Sequence, residues 1–484
     1  MPACIACRGC GAPSCARQWA SALALLYRDY ASVPIWHGNC MHSAGSVEII
    51  CNPRTPMIRR YGLLACLTPL AMLPREAFAQ AAPQAQASPP AQTVTAAPAA
   101  APAAPSSWAS SIKLGAQIEA GISGNPQDPD NGVNFGQLFT DKANHPLLNQ
   151  LLLTAERDNR SESDGLRFRL QAAGMYGSDA RITHTLGVFD HLIHDRNQID
   201  IVEANVTMHT PWLFSGGIDV KAGIYPTPLG AEVIDAKANP FYSHSYIFNF
   251  GLPLKHLGIL TTSHVSDMVD IYFGIDSGTN TSVGSGDDNG RPGGIAGVGL
   301  NLLGGNLTVL ALTHMGPEDA TRNTPFGNSA MRYYNDIVAT YKYSDPLSFT
   351  TELNYVKEDG FRAEGYGIAQ YAAYTLSDTV TLNARAEVWR DNSNFFVANP
   401  VNNLDFVNFE LGNPSNFYTA TRPTTYSEFT IGATYKPAGL PAAISTLMIR
   451  PELRYDTTLN NSKPFDGGKD KGYVTLASDI ILAF

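Results

Sequence analysis

The end of the chain alternates regularly between apolar and polar residues. From Gly472 to the terminal Phe484, one set of alternate positions is apolar apart from Ser478. The positions between them carry Asp479 and most of the polar groups. A period of two is typical of a β-strand whose two faces meet different surroundings. The chain therefore ends in a predicted amphipathic strand.

The composition favours a β-protein and is compatible with a membrane barrel. Only 16% of the 484 residues are charged, and the chain contains 42 Gly, 21 Tyr and 21 Phe. We find no apolar run of the roughly 18 residues that a helix needs to cross a bilayer. These properties fit a large β-barrel, and they also fit a secreted β-protein. An aromatic C-terminus resembles the assembly signal of bacterial outer-membrane barrels, formed here by Phe484, Leu482 and Ile480.

The beginning of the chain predicts export. All seven cysteines lie in the first 66 residues. A chain that crosses an oxidising periplasm before folding avoids unwanted disulfides if it has no thiols. Residues 57–79 have the pattern of a signal peptide, in which two arginines precede the apolar segment 63–73 and Ala-Phe-Ala ends at Ala79.

The segments on either side of this signal have different predicted origins. Residues 1–56 contain a C-x2-C-x2-C-x4-C run that resembles an iron–sulfur or metal-ligand motif. An exported barrel has no use for a cytosolic cluster, so we expect these residues to be a mis-annotated upstream extension, and we expect no cofactor. Residues 80–107 are almost all Ala, Pro, Gln, Ser and Thr, which predicts a flexible periplasmic linker. The barrel domain is then 108–484.

Short turns and long connections alternate along this domain. Turn residues cluster near 178–179, 211–216, 266–267, 304–305, 345–346, 377–378 and 438–441. Long connections are predicted at 124–164, 191–197, 227–255, 278–292, 316–330, 359–361, 392–424 and 458–472. The asymmetry is typical of an outer-membrane barrel with short periplasmic turns and long extracellular loops. It predicts a closed, all-β, antiparallel transmembrane barrel of about 16 strands, within a range of 14–18.

The predicted strands carry charge on one face. Arg167 and Arg169 alternate with apolar residues, as do Arg385, Arg450 and Arg454 further along the chain. In a soluble sandwich the charged face would meet water, whereas in a barrel it would line the lumen. Strands of ten to fourteen residues exceed the usual five or six of soluble sheets and suit a tilted membrane crossing. The length therefore favours the barrel.

Several segments of the domain carry a family resemblance. They are 225–232, 239–246, 253–258, 450–455 and the closing Ile-Leu-Ala-Phe. Through them the chain resembles the OmpL-like family of outer-membrane β-barrel porins over roughly residues 110–484. The resemblance implies a passive channel for small hydrophilic solutes or ions in the outer membrane of a Gram-negative bacterium. In sixteen-stranded porins the third loop also folds into the barrel, and homotrimers are common.

The third long connection, 227–255, is unusually apolar for a surface loop. An apolar loop in water is costly, so we expect it to pack on the inner wall and narrow the pore. Its Glu232 and Asp235 would then face a wall of cations, which are Arg167, Arg169, Lys221, Arg385, Arg450 and Arg454. Facing acids and bases tune ion selectivity in a constriction. Alternatively, the arginines pair with Glu352, Glu387 and Glu452, or the loop binds a partner.

Other functions have weaker support in the sequence. Ser243, His244 and Ser245 are adjacent, but adjacency in a loop does not make a catalytic triad. The histidines are not grouped at zinc-ligand spacing. We therefore predict no enzyme activity and no metal, and keep two alternatives: a barrel adhesin or receptor that acts through its loops, and a barrel hydrolase.

The predicted partners follow from the barrel and its charge. They are outer-membrane lipid, the barrel-assembly machinery and small hydrophilic solutes, with a homotrimer left open. The formal net charge of −10 argues against nucleic-acid binding, which needs a basic face. Removal of residues 1–79 would make the chain more acidic, because they contain seven arginines and three acidic residues.

Overall fold

Sixteen antiparallel strands form one closed barrel. The computed structural model describes residues 111–160, 165–192, 195–286, 289–320 and 329–484. The predicted upstream extension, signal peptide and linker lie outside these residues and stay predictions. Among the described residues, no helix is long and apolar enough to span a membrane.

Each barrel strand pairs with the next one along the chain, and the last pairs with the first. The strands are β1 Ile112–Gly124, β2 Pro146–Arg160, β3 Arg167–Gly177, β4 Gln198–Thr210, β5 Ile218–Pro226, β6 Lys255–Ser266, β7 Val269–Thr279, β8 Gly293–Leu302, β9 Leu307–Pro317, β10 Met331–Lys342, β11 Leu347–Glu358, β12 Ala363–Ser377, β13 Val380–Asp391, β16 Thr424–Tyr435, β17 Thr446–Thr458 and β18 Gly472–Ala483. Between β13 and β16, the short strands β14 Ala398–Pro400 and β15 Phe417–Thr419 form a separate two-stranded sheet.

Short helical segments occur only in the connections of the described chain. The α-helical ones are Ala180–Thr183 and Asp405–Glu410, the 3₁₀ turns are Asp190–Leu192, Ala236–Ala238, Gly284–Gly286, Leu303–Gly305 and Asp466–Gly468, and Ile247–Gly251 is a π-helical turn.

The predicted final strand closes the barrel. β18 pairs with β1, with Ala483 opposite Gln117, and the amide of Phe484 donates to the Ala116 carbonyl at 2.9 Å. Ile480 and Phe484 are exposed on the outer side, whereas Asp479 is buried on the inner side. The alternation in the sequence is therefore the alternation between the two faces of the barrel wall.

The same division of faces holds around the barrel. Large apolar side chains such as Leu353, Val388 and Leu453 are exposed, whereas the neighbouring acids Glu387 and Glu452 are buried. A soluble protein shows the opposite arrangement, with charge outside. An apolar outer band and a charged interior are those of a transmembrane barrel, which confirms the predicted fold class.

One strand differs from the prediction, although the total is right. Residues 146–160 were expected in a loop and form β2, whereas the expected turn at 178–179 lies inside the second long connection, 178–197. β2 contains the unbroken apolar run 151–153, which hides the period of two. Residues 180–186 alternate between apolar and polar side chains but form no barrel strand. All of them are buried, and Arg181 donates to Asp141 of the first long connection at 2.9 Å. The other predicted turns and loops overlap the observed connections.

Candidate functional site

The third long connection lies against the charged inner face of the wall. We call residues 227–254, between β5 and β6, the inner loop. Most of its large apolar side chains are buried, among them Phe241, Tyr246, Ile247 and Phe248, whereas Val233 is exposed. The backbone and side chains of the inner loop contact inward-facing residues of β10–β13 and β17, as the bonds below show. The loop also reaches the beginning of the barrel, where Gln150 of β2 donates to the Ile234 carbonyl at 2.7 Å and the Tyr242 hydroxyl donates to Asn149 at 2.8 Å.

Carboxylates of the wall accept hydrogen bonds from the backbone of the inner loop. Glu387 accepts from the amides of Tyr246 and Ile247 at 2.6 and 2.8 Å. Other contacts follow the same pattern: Glu452 accepts from Tyr242 and Ser243, Glu352 from Ala231, and Asp336 from Gly230. A typical intramolecular hydrogen bond contributes about 0.5–1.5 kcal/mol. The wall thus satisfies the backbone of a segment that has no ladder of its own.

Three arginines of the same wall bind the carbonyls of the inner loop. Arg385, Arg450 and Arg454 are almost completely buried. The bonds run from Arg385 to Ser243 at 2.9 Å, from Arg450 to Ala236 and Asn239 at 2.8 Å each, and from Arg454 to His244 at 2.5 Å. Guanidinium groups suit this role because they carry several donors in a fixed plane.

Glu232 forms the ionic centre of this contact. Its Oε1 lies 2.7 Å from Arg385 Nη1, its Oε2 lies 2.7 Å from His244 Nδ1, and it also accepts from the Tyr371 hydroxyl. Burial opposes ionisation of this carboxyl, but Arg385 and His244 outweigh burial and hold the pKa of Glu232 at about 2. Glu232 is therefore ionised at neutral pH and joins the loop to β13.

The predicted pore residues divide into two groups. In the first group, Glu232 of the inner loop contacts Arg385 directly, and Arg450 and Arg454 bind carbonyls of the same loop. These charges lie in contact and do not face one another across open space. Asp235 also belongs to the loop, where it accepts from the Lys237 amide at 3.2 Å and from Gln117 of β1 at 3.0 Å. The Glu–Arg contact joins residues more than 150 positions apart, which sequence patterns do not reveal.

The arginines have acidic partners other than those suggested by the sequence. Arg385 also pairs with Glu428 at 2.6 Å, and Arg454 pairs with Asp456 at 2.7 Å. Arg450 pairs with Asp479 and with Glu119. Glu352, Glu387 and Glu452 instead accept the backbone bonds described above.

Arg167, Arg169 and Lys221 form the second group, on β3 and β5. Arg169 is half exposed and lies 3.4 Å from Glu156 of β2. Lys221 lies over the Tyr225 ring, 5.9 Å from its centre. Near the short-turn ends of β1–β5, seven inward-facing charges of both signs are at least partly exposed: Lys113, Glu156, Asp158, Arg167, Arg169, Asp219 and Lys221.

An apolar cluster joins the inner loop, other long connections and β16. Phe139 of the first long connection lies 5.4 Å from Phe248, ring centre to ring centre. Tyr246 stacks on Tyr426 of β16 at 5.1 Å, and Phe135 meets Phe465 at 6.1 Å. The apolar side chains that made this loop unusual are therefore removed from water by other connections and by the wall.

The three adjacent residues considered for catalysis hold the inner loop. His244 bonds Glu232, the Ser243 hydroxyl accepts from Arg385 at 3.1 Å, and the Ser245 hydroxyl accepts from the Phe248 amide at 3.0 Å. Neither serine is bonded to His244 in these contacts. Their observed role is positional.

The family match covers the same part of the chain as the barrel. A family model described as "Putative beta-barrel porin-2, OmpL-like" matches residues 111–484. The chain belongs to this family. As an OmpL-like barrel it is a porin-like protein of the Gram-negative outer membrane, which confirms the resemblance drawn from the sequence.

Several solved outer-membrane proteins are similar to the chain at 10–11% identity. The channel DcaP of Acinetobacter baumannii has a TM-score of 0.48, with 77% of this chain and 96% of that chain covered. OmpT of Vibrio cholerae has a TM-score of 0.48, with 77% and 97% covered. The anion-selective porin from Comamonas acidovorans has a TM-score of 0.47, with 77% and 99% covered. No curated protein matches the chain.

Proposed function

We propose that this barrel is a passive diffusion channel for small hydrophilic solutes and ions, narrowed by the inner loop. The attachment of that loop to the inner face of the wall supports the proposal most strongly. Carboxylates and arginines of the wall hold the loop against the inner face of the barrel. Near the short-turn ends of β1–β5, charged side chains remain at least partly exposed and provide a polar surface for water and solutes.

The charges on that polar surface suggest the selectivity. Lys113 and Arg169 have the acids Glu156 and Asp158 as neighbours across the strands. Rings of one sign select ions strongly in pores, whereas mixed signs cancel much of the field. The proposed channel therefore prefers anions or cations only weakly.

The proposal also includes how the protein reaches the outer membrane and what it contacts there. The signal peptide at 57–79 would direct export, and the outward-facing Phe484, Leu482 and Ile480 would be recognised during assembly into the membrane. The apolar outer band would contact lipid. Assembly of the barrel into a homotrimer stays a prediction.

Liposome swelling tests the proposed diffusion. Protein purified from outer membranes is incorporated into liposomes and diluted into isotonic solutions of sugars of increasing size. Swelling should be fast for the smallest sugar and fall with sugar size, whereas protein-free liposomes should not respond. Absence of swelling with protein that still shows the heat-modifiable migration of a folded barrel would overturn the proposed channel.

A further inference from the structure

Two histidines and an aspartate converge on the inner face of the barrel, away from the Glu232–Arg385 contact. His256 of β6, Asp276 of β7 and His314 of β9 are all buried. Asp276 Oδ1 lies 3.0 Å from His314 Nε2, and Asp276 Oδ2 lies 3.4 Å from His256 Nδ1. One candidate ligand atom from each residue lies within 4.8 Å of the other two.

A glycine on the intervening strand allows this convergence. β8 separates β7 from β9, and its Gly293 is paired with Asp276. A Cβ atom at Gly293 would lie 2.8 Å from both Asp276 Oδ1 and His314 Nε2. Real Cβ atoms do not approach neighbours so closely, so any other residue here would push the two side chains apart. Because Gly293 has no side chain, residues of β7 and β9, which are not paired with each other, can form one polar site.

The cluster contains polar atoms with no protein partner. Among the described residues, His256 Nδ1 and Asp276 Oδ2 have no hydrogen-bond partner, although both are buried. Buried polar atoms normally have a hydrogen-bond partner or a ligand. A buried nitrogen and a buried carboxylate oxygen that both lack one therefore indicate that a further atom binds between them. A metal ion or a water molecule would satisfy both atoms.

The surroundings of the cluster favour a metal ion over a water molecule. His256 Nε2 lies 3.1 Å from the Thr227 hydroxyl, which leaves Nδ1 directed at Asp276. His314 Nδ1 lies 3.9 Å from Glu318 Oε1, and the Gly278 amide donates to Asp276 Oδ1 at 2.9 Å. Metal-binding histidines usually present their second ring nitrogen to an outer partner, as His256 does to Thr227, and this fixes the ring and its tautomer.

We propose that His256, Asp276 and His314 bind a divalent transition-metal ion, for which Zn²⁺ is the natural probe. Zinc bonds of about 2.0–2.2 Å in a tetrahedron place ligand atoms roughly 3.3 Å apart. The two contacts of Asp276, at 3.0 and 3.4 Å, are close to this value, and the candidate ligand atoms, which all lie within 4.8 Å of one another, would draw together around the ion. Two imidazoles and one carboxylate suit zinc and its neighbours in the first transition series, and leave a fourth position for water.

The bound ion would connect the wall to the inner loop. Thr227, which contacts His256, is the first residue of the inner loop after β5. The metal would therefore fix the point where this loop leaves the wall. The proposal does not depend on solute diffusion, because metal binding is measured without any flux.

Calorimetric titration of the protein with Zn²⁺ tests the site. Protein purified from outer membranes in detergent is treated with iodoacetamide, so that a cysteine thiol cannot bind the metal, and is then stripped with a chelator. We expect one saturable site, at least 100-fold weaker binding in His314→Gln, and about 10–100-fold weaker binding in Thr227→Val, which alters only the outer partner. His264→Gln is the matched control, because His264 is also on β6 but bonds Asp270 at 2.8 Å outside this cluster.

A second measurement keeps the test decisive if a ligand variant folds poorly. Co²⁺ bound by two imidazoles and a carboxylate should give visible absorption in the wild type and in His264→Gln, with a weaker titration in Thr227→Val. No saturable Zn²⁺ binding in the wild type would overturn the proposal. Equal binding in the wild type, Thr227→Val and His314→Gln would also overturn it, since the metal would then be bound elsewhere.

Discussion

Replacement of Arg385 by Met should release the inner loop from the wall. Arg385 lies 2.7 Å from Glu232 of the loop and 2.6 Å from Glu428 of β16, and it also donates to the Ser243 carbonyl at 2.9 Å. Methionine fills a similar space but donates nothing. Both carboxylates would then lie buried without their main counter-charge.

The size of the effect follows from this loss. Removal of one partner of a buried ion pair costs about 3–5 kcal/mol. When the inner loop detaches from the wall, water can solvate Glu232 and Glu428. We therefore assign most of this free-energy cost to the equilibrium between the docked and the undocked loop. At about 1.4 kcal/mol per tenfold, the ratio of docked to undocked loop falls roughly 100- to 4,000-fold.

Single-channel recordings and limited proteolysis measure this change together. Arg385→Met should give larger or noisier conductance steps and faster cleavage within 227–254. Arg169→Met is the control, because its half-exposed pair with Glu156 at 3.4 Å is worth at most about 1 kcal/mol. Adding Glu232→Gln to Arg385→Met should restore part of the wild-type behaviour, since one uncompensated charge disappears. Wild-type conductance and wild-type protection of the loop in Arg385→Met would refute the reasoning.

Two further results are expected. Because the pKa of Glu232 is held at about 2, below its ordinary value of 4.5, its contribution to loop docking is complete above about pH 4.5 and is lost as the pH falls toward 2. Conductance noise should therefore increase across this interval, and a Glu232→Gln channel with the same pH dependence as the wild type would contradict the assignment. Deletion of Phe484, which is exposed at the end of β18, should lower the amount of heat-modifiable barrel in outer membranes. Deletion of the exposed loop residue Leu459 is the control and should not lower it. Equal amounts of barrel in the Phe484 deletion and the wild type would exclude a role of Phe484 in assembly.

The parts of the fold that sequence predicts are those set by local alternation. β1 and β18 keep a strict period of two because one face meets lipid and the other the interior. β2 was not predicted because residues 151–153 are all leucine, which interrupts the alternation. Its register with β1 also shifts between Glu119 and Ala120. The apolar character of residues 227–254 predicted burial, since exposed apolar surface is costly.

The contacts that form the sites depend on closure of the barrel. Arg385 was correctly expected on the inner face, but its contact with Glu232 arises only when the loop crosses to β13. The spacing of 20 residues between His256 and Asp276, and of 38 between Asp276 and His314, matches no local ligand motif. Strand register and Gly293 bring these residues together, so the candidate metal site could not be recognised from the sequence.

Single-channel recording in a planar bilayer tests the central claim most directly. Protein purified from outer membranes is added to one side, and conductance and reversal potential are measured in a salt gradient. We predict stable ohmic steps and a small reversal potential, because exposed charges of both signs line the inner face near the short-turn ends of β1–β5. A folded, heat-modifiable barrel that gives no steps in the wild type or in Arg385→Met would contradict the account of this protein as a channel narrowed by its inner loop.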